Sequence, residues 1–143
     1  MWVLTAAALC AGLFAGAAIY ISAVEHPARL SCGTELAIRE FAPSYRRATV
    51  MQVPLAVVGC VMGLWSAWLR GDAWLATASL LLVAAVPFTL IVILPTNKRL
   101  LDPSLDPRSE AAQDLLVRWG HLHMTRSILS GVAFVLFLLR FAP

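Results

Sequence analysis

Charge is what this chain has least of. Asp, Glu, Lys and Arg make up 13% of its 143 residues, against about 25% in an ordinary soluble domain. With 60% hydrophobic residues and a mean hydropathy of +0.80, that scarcity excludes a soluble globular protein. Cysteine is scarce too. Cys10, Cys32 and Cys60 form no CxxC and no even framework, and two of them lie in apolar runs where they act as small hydrophobes, so no disulfide or thiol chemistry is indicated. No HExxH and no histidine-rich face is present, which removes the usual metal-binding signatures.

What the chain does have is long apolar runs. A helix of about 20 apolar residues crosses the hydrocarbon core, and residues 2–22, 50–69, 73–95 and 121–142 qualify. A helix satisfies its own backbone in lipid, so the expected fold is all-α: a single domain over residues 1–143, an integral membrane antiparallel four-helix bundle. The first run has an alternative reading as a signal peptide. It lacks a basic leader, its apolar stretch is too long, and Glu25-His26-Pro27 follows in place of a cleavage site, so a retained span is expected. Gly12 and Gly16, four apart, offer a face for close helix contact within the bundle or with a second copy in a homo-oligomer.

Basic residues set the expected orientation. Arg29, Arg39, Arg46, Arg47, Lys98, Arg99, Arg108 and Arg118 fall on one side, Arg70 and Arg140 on the other. Both termini are therefore expected outside and both long loops in the cytoplasm, as in a protein of the bacterial inner membrane. The net charge of +3 is accounted for by this topology and by anionic lipid; a nucleic-acid partner is not required.

Proline marks the expected breaks. Pro27 should kink or stop the first helix, and a short cytoplasmic helix should follow Gly33, capped by Thr34, with Leu36, Ala37 and Phe41 toward the membrane surface. Pro43 reads as a boundary, with Ser44 capping the second span. Arg70-Gly71-Asp72 is a tight turn between antiparallel spans. LPTNKRLLDPSLDPR ends the third span, since its three prolines in thirteen residues rule out regular helix. Asp106-Pro107 is expected to open a final helix of about 50 Å, longer than the hydrocarbon is thick. EHPARL after the first span and PTNKRL after the third echo one another, as a duplicated hairpin would.

RWGHLHMTR, residues 118–126, opens that last span with the chain's most conspicuous polar cluster. At 100° per residue, Trp119, His123, Arg126 and Ser130 fall within a sector of roughly 60°, with His121 on the other side. Snorkelling of Arg126 and an interfacial role for Trp119 form one reading. The other turns Trp119, His123 and Arg126 into the bundle, where an arginine requires an anion. Glu25 is the acid at the matching depth, and it can also pair with Arg29 one helical turn on. Asn97, Gln52 and His26 lie at the same level, enough for a cavity at the cytoplasmic mouth. Copper or iron held by Glu25, His26 and His123 is the rival reading, although adjacent residues project about 100° apart and meet one ion only if Pro27 distorts the helix. Haem between His26 and His123 is weaker still.

EHPARL, SYRRATVMQ, LPTNKRLLDP and LLVRWGHLHMTRSIL together resemble the anthrone-oxygenase-like membrane proteins over essentially the whole chain. The resemblance implies a four-helix membrane fold and, from fungal relatives, oxidation of an anthrone to an anthraquinone by O2 with no cofactor. On that reading His123 is the general base, Arg126 and Asn97 stabilise the enolate, and Glu25 orients His123 or neutralises Arg126. Trp119 stacks on a flat substrate, with His26, Arg29 and Gln52 completing the site. The expected partners are a hydrophobic small molecule, O2 and the lipid bilayer. A binding or transport protein using the same cavity without chemistry, and a metal-dependent oxidase, are the alternatives.

Overall fold

Each apolar run forms a helix that carries on beyond the hydrocarbon. The computed structural model describes residues 1–141, so the expected last residue of the fourth span, Ala142, lies outside the described residues. α1 (Trp2–Tyr20) passes through a π-helical turn (Ile21–Glu25) into α2 (His26–Ser31), and α3 (Thr34–Arg70) returns. α4 (Ala73–Phe88) likewise runs through a second π turn (Thr89–Ile93) into α5 (Leu94–Leu100), and α6 (Glu110–Leu138) returns in turn. Four helical rods of 30, 37, 28 and 29 residues result, each long and apolar enough to cross a membrane, consistent with an integral membrane protein. α1 packs on α3 and α6, and α4 on the same two, so antiparallel neighbours close a ring.

The prolines do not break the helices as expected. A proline lacks an N–H and its ring strikes the carbonyl four residues back. Both helices relieve this clash by widening the turn just before: His26 N–H donates to the Ile21 carbonyl and Leu94 N–H to that of Thr89, five residues back in each case. Pro27 and Pro95 then enter without collision, and helix continues to Ser31 and Leu100. The echo between EHPARL and PTNKRL is thus matched in structure, with a five-residue π turn ending two residues before each proline.

Pro43 ends nothing either. The expected short helix after Gly33 is the opening of the 37-residue α3, which carries Pro43 and Pro54 inside it, while α2 is the end of the first rod. Gly33, at φ 92°, is the cap, and Thr34 is the first helical residue. Ala37 and Phe41 are buried while Leu36 is exposed, because this stretch packs against the end of the bundle and does not lie on a lipid surface. Ser44, free of a capping role, hydrogen-bonds Glu25. α6 starts later than expected: Ser109 caps it by accepting from the Ala112 N–H at 3.1 Å, while Asp106 caps only a local turn at Arg108.

The Arg70–Asp72 turn forms as expected. Gly71 adopts the left-handed conformation at φ 63°, and Asp72 caps α4 through the Trp74 N–H at 2.9 Å and pairs with Arg140 at 2.9 Å. Trp2, Trp65, Trp68 and Trp74 are exposed around this end, forming the aromatic belt of a membrane interface. Gly12 is covered by Phe134 of α6, whereas Gly16 faces open space.

Two cores divide the bundle. Alanines 7, 11, 56, 67, 78 and 133 with Leu75, Leu82 and Phe137 fill the belted half. Gly63 permits the close approach there, since a Cβ would fall 2.1 Å from Ser79 Oγ. Ile21, Phe41, Ile93, Leu116 and Trp119 fill the other half.

Candidate active site

Between the two cores lies a cavity walled by Phe14 and Ala85 from one and by Ile21, Phe41, Ile93 and Trp119 from the other. Its volume of about 90 Å³ is several times the 10–15 Å³ or so that one water needs but below the roughly 300 Å³ of a small-molecule site, so a tricyclic ligand enters only as the walls widen. Both π turns contribute to its wall, through Ile21 and through Thr89, Leu90 and Ile93, in keeping with the association of such turns with functional sites.

The polar lining comes mainly from α3, through Ser44, Tyr45, Thr49 and Gln52, and from α6, through Trp119, His123 and Arg126. His123 is 2% exposed and Trp119 5%, with Ser127 and Ser130 also buried, while His121 is on the exposed face. The helical projection therefore places the two histidines correctly. Arg126 donates to Gln52 Oε1 at 2.8 Å and to His123 Nε2 at 2.5 Å. A guanidinium only donates, so Nε2 carries the lone pair and the imidazole proton sits on Nδ1. From there a chain of hydroxyls runs to α1: Nδ1–H donates to Ser22 Oγ at 2.8 Å, Ser22 to Ser127 Oγ at 2.8 Å, and Ser127 to the Ala18 carbonyl at 2.9 Å. Because the last acceptor is a carbonyl, the chain has one proton order, and it fixes a neutral imidazole with its basic nitrogen on the Arg126 side.

Trp119 is wedged in place. Its indole N–H donates to Asn97 Oδ1 at 2.8 Å; its ring stacks on His123 at 4.7 Å and meets Phe41 edge-on at 5.3 Å. The Arg29 guanidinium sits 5.7 Å from the same ring. Asn97 is thereby oriented, and its amide Nδ2 is left without a partner, as are Gln52 Nε2 and Arg126 Nε. All three residues line the cavity. Buried N–H groups without acceptors are costly, and a ligand rich in oxygen acceptors relieves them.

Two expected site residues lie elsewhere. Glu25 does not reach His123 or Arg126; its carboxylate is taken by Arg29 and by the Ser44 hydroxyl, the one-turn pair that the sequence allows. Arg29, almost fully buried, bonds Glu40 as well, clamping α2 to α3, and still touches the cavity wall. His26 packs against Trp119 at 5.0 Å behind the lining. It occupies the space left by Gly120, where a Cβ would lie 2.6 Å from its Nε2. Glu25, His26 and His123 consequently do not converge as ligands, and no set of three metal-binding side chains occurs among the described residues. The copper or iron site read from these three does not fit this geometry.

Four contributors escape the sequence reading. Ser22 and Ser127 form the hydroxyl chain, Phe14 lies 5.8 Å from the Arg126 guanidinium, and Tyr45 stacks on Phe41 at the cavity edge. Ser127 carries a usable signal, being one turn beyond His123 on the same face.

The anthrone oxygenase family profile matches residues 41–136, from Phe41 through the whole RWGHLHMTR cluster. The chain belongs to the anthrone oxygenase family. An anthrone oxygenase of Pestalotiopsis fici is 32% identical over 114 residues, covering 68% of this chain and 81% of the relative. One from Claviceps purpurea is 31% identical over 138 residues, 85% of this chain and 79% of the relative, and one from Cryptosporiopsis is 27% identical over 140 residues, 92% and 81%. No solved structure matches. Membership of this family makes the chain an oxygenase-like enzyme.

Proposed function

We propose that this protein oxidises an anthrone-like or related enolisable phenolic substrate with O2, inside the membrane and without a cofactor. The observation that carries the proposal is Arg126. It lies on the cavity wall against Phe14, and among the described residues no carboxylate pairs with it. A guanidinium in apolar surroundings without a counter-ion is an anion site awaiting its anion. An enolate supplies that charge.

The chemistry follows from the geometry. A ketone oxygen bound by Arg126, with Asn97 Nδ2 or Gln52 Nε2 beside it, draws the guanidinium away from His123 Nε2 and frees that lone pair to take a proton from the methylene opposite the ketone. The enolate gives one electron to O2, and the carbon radical and superoxide combine to form a C–O bond. Protonation by the imidazolium yields a hydroperoxide. Removal of the remaining proton on that carbon then breaks the O–O bond, leaving a second carbonyl and water. One O2 is consumed per substrate, one oxygen atom entering the product and one leaving as water.

Oxygen uptake by the detergent-solubilised protein with an anthrone tests this reading. A rate well above that of protein-free buffer is expected, falling by about 10²–10³ in Arg126→Gln. A rate no faster than buffer removes the substrate assignment. Elemental analysis tests cofactor independence, and near-stoichiometric copper or iron in active protein overturns it.

A further inference from the structure

The walls of the cavity are closed to unequal degrees: most lining residues are buried, while Ser44, Tyr45, Ala48, Val86, Thr89 and Arg126 are half-buried. Toward the belted end lie Phe14 and Ala85; toward the loops lie Phe41, Asn97 and Trp119, all buried, backed by the Arg29 clamp. The lining residues that are exposed are Thr49 and Val53 on α3 and Leu90 on the second π turn. α3 packs along α4 but parts from it at that π turn, so these residues frame a gap between the two helices.

The rim is apolar in effect as well as in name. The Thr49 hydroxyl donates to the Tyr45 carbonyl at 2.8 Å and the Thr89 hydroxyl to that of Ala85 at 2.7 Å, so neither offers a free donor to the gap. Around it Val50 and Ile91 are 76% and 74% exposed, an outward surface suited to acyl chains and not to water.

We infer that this gap is the route by which a flat apolar substrate passes sideways from the bilayer into the cavity, with Val53 and Leu90 setting the width of the opening. The inference builds on the enzymatic reading above, yet it is testable without turnover. A variant retaining Trp119 as its only tryptophan, with Trp2, Trp65, Trp68 and Trp74 changed to phenylalanine, reports arrival of a quencher at the cavity. Mixed with vesicles carrying 9,10-anthraquinone, it should lose fluorescence at a rate that follows the quinone-to-lipid ratio and not the aqueous concentration. Val53→Trp is not usable in that background, so Val53→Phe and Leu90→Phe serve as the narrowing variants and Val57→Phe, lipid-facing on the same helix but outside the cavity lining, as the control. Both narrowing variants should slow quenching about tenfold while the control does not.

Equal rates in all variants, no arrival from loaded vesicles, or a rate that tracks the aqueous concentration overturns the route. Slowed quenching without anthrone oxidation retires the enzymatic reading and leaves the route standing.

Discussion

His123 is held from both sides by partners of opposite sense, a donor at Nε2 and an acceptor at Nδ1. Its value as a base therefore depends on Arg126, which the substrate engages, and on Ser22, which lies outside the cavity lining. His123→Ala should abolish turnover with the bundle intact, and His121→Ala should change it little. Ser22→Ala should lower kcat about tenfold and shift the pH–rate profile with KM nearly constant, since it frees the imidazole to adopt the other tautomer; an unchanged profile would leave Ser22 a packing residue only. Gly120→Ala drives a methyl into His26 and should cost about 1–3 kcal/mol of stability, read as an earlier thermal transition. The facing of the two histidines is legible in the sequence because it is local, a matter of 100° steps along one helix. The partners of His123 are not, because Ser22 meets it across 101 residues of chain and the register of α1 against α6 is a tertiary fact. Glu25 reads from sequence as a neutraliser of Arg126 because two arginines lie within plausible reach, and only packing decides between them.

At the scale of elements, the number and direction of the helices come from apolar length, and the Arg70–Asp72 turn from its residues. The prolines do mark irregularities, but of a form that sequence alone does not distinguish. A break and a π turn both answer the same missing N–H, and a chain buried in lipid favours the answer that keeps every other backbone bond. A π turn amounts to one inserted residue, so its removal should rotate the helix on its N-terminal side by about 100° relative to the helix on its C-terminal side. Deleting Ala23 should keep the helix content by circular dichroism yet carry Ser22 away from His123 and suppress activity. Full activity in the deletion variant would show that the first π turn does not set the site.

Taken as a whole, the molecule puts its charged loops and its cavity toward one end and its tryptophan belt at the other. The eight-to-two split of basic residues predicts that the cavity end faces the cytoplasm. Cys32, exposed between α2 and α3, is a native reporter of this. A membrane-impermeant maleimide should label it in inside-out vesicles and not in intact spheroplasts; labelling of intact spheroplasts reverses the topology.

The Asp72–Arg140 pair joins the α3–α4 turn to the chain just beyond α6, at the end where alanine and glycine bring the helices closest. The bundle is thereby tied at both ends, by this pair at the belted end and by the Arg29–Glu40 and Arg108–Glu35 pairs at the other. Any widening that lets a rigid tricycle through is therefore expected between the two ties, as a bowing of α3 away from the second π turn, where the lateral pressure of the surrounding acyl chains opposes it.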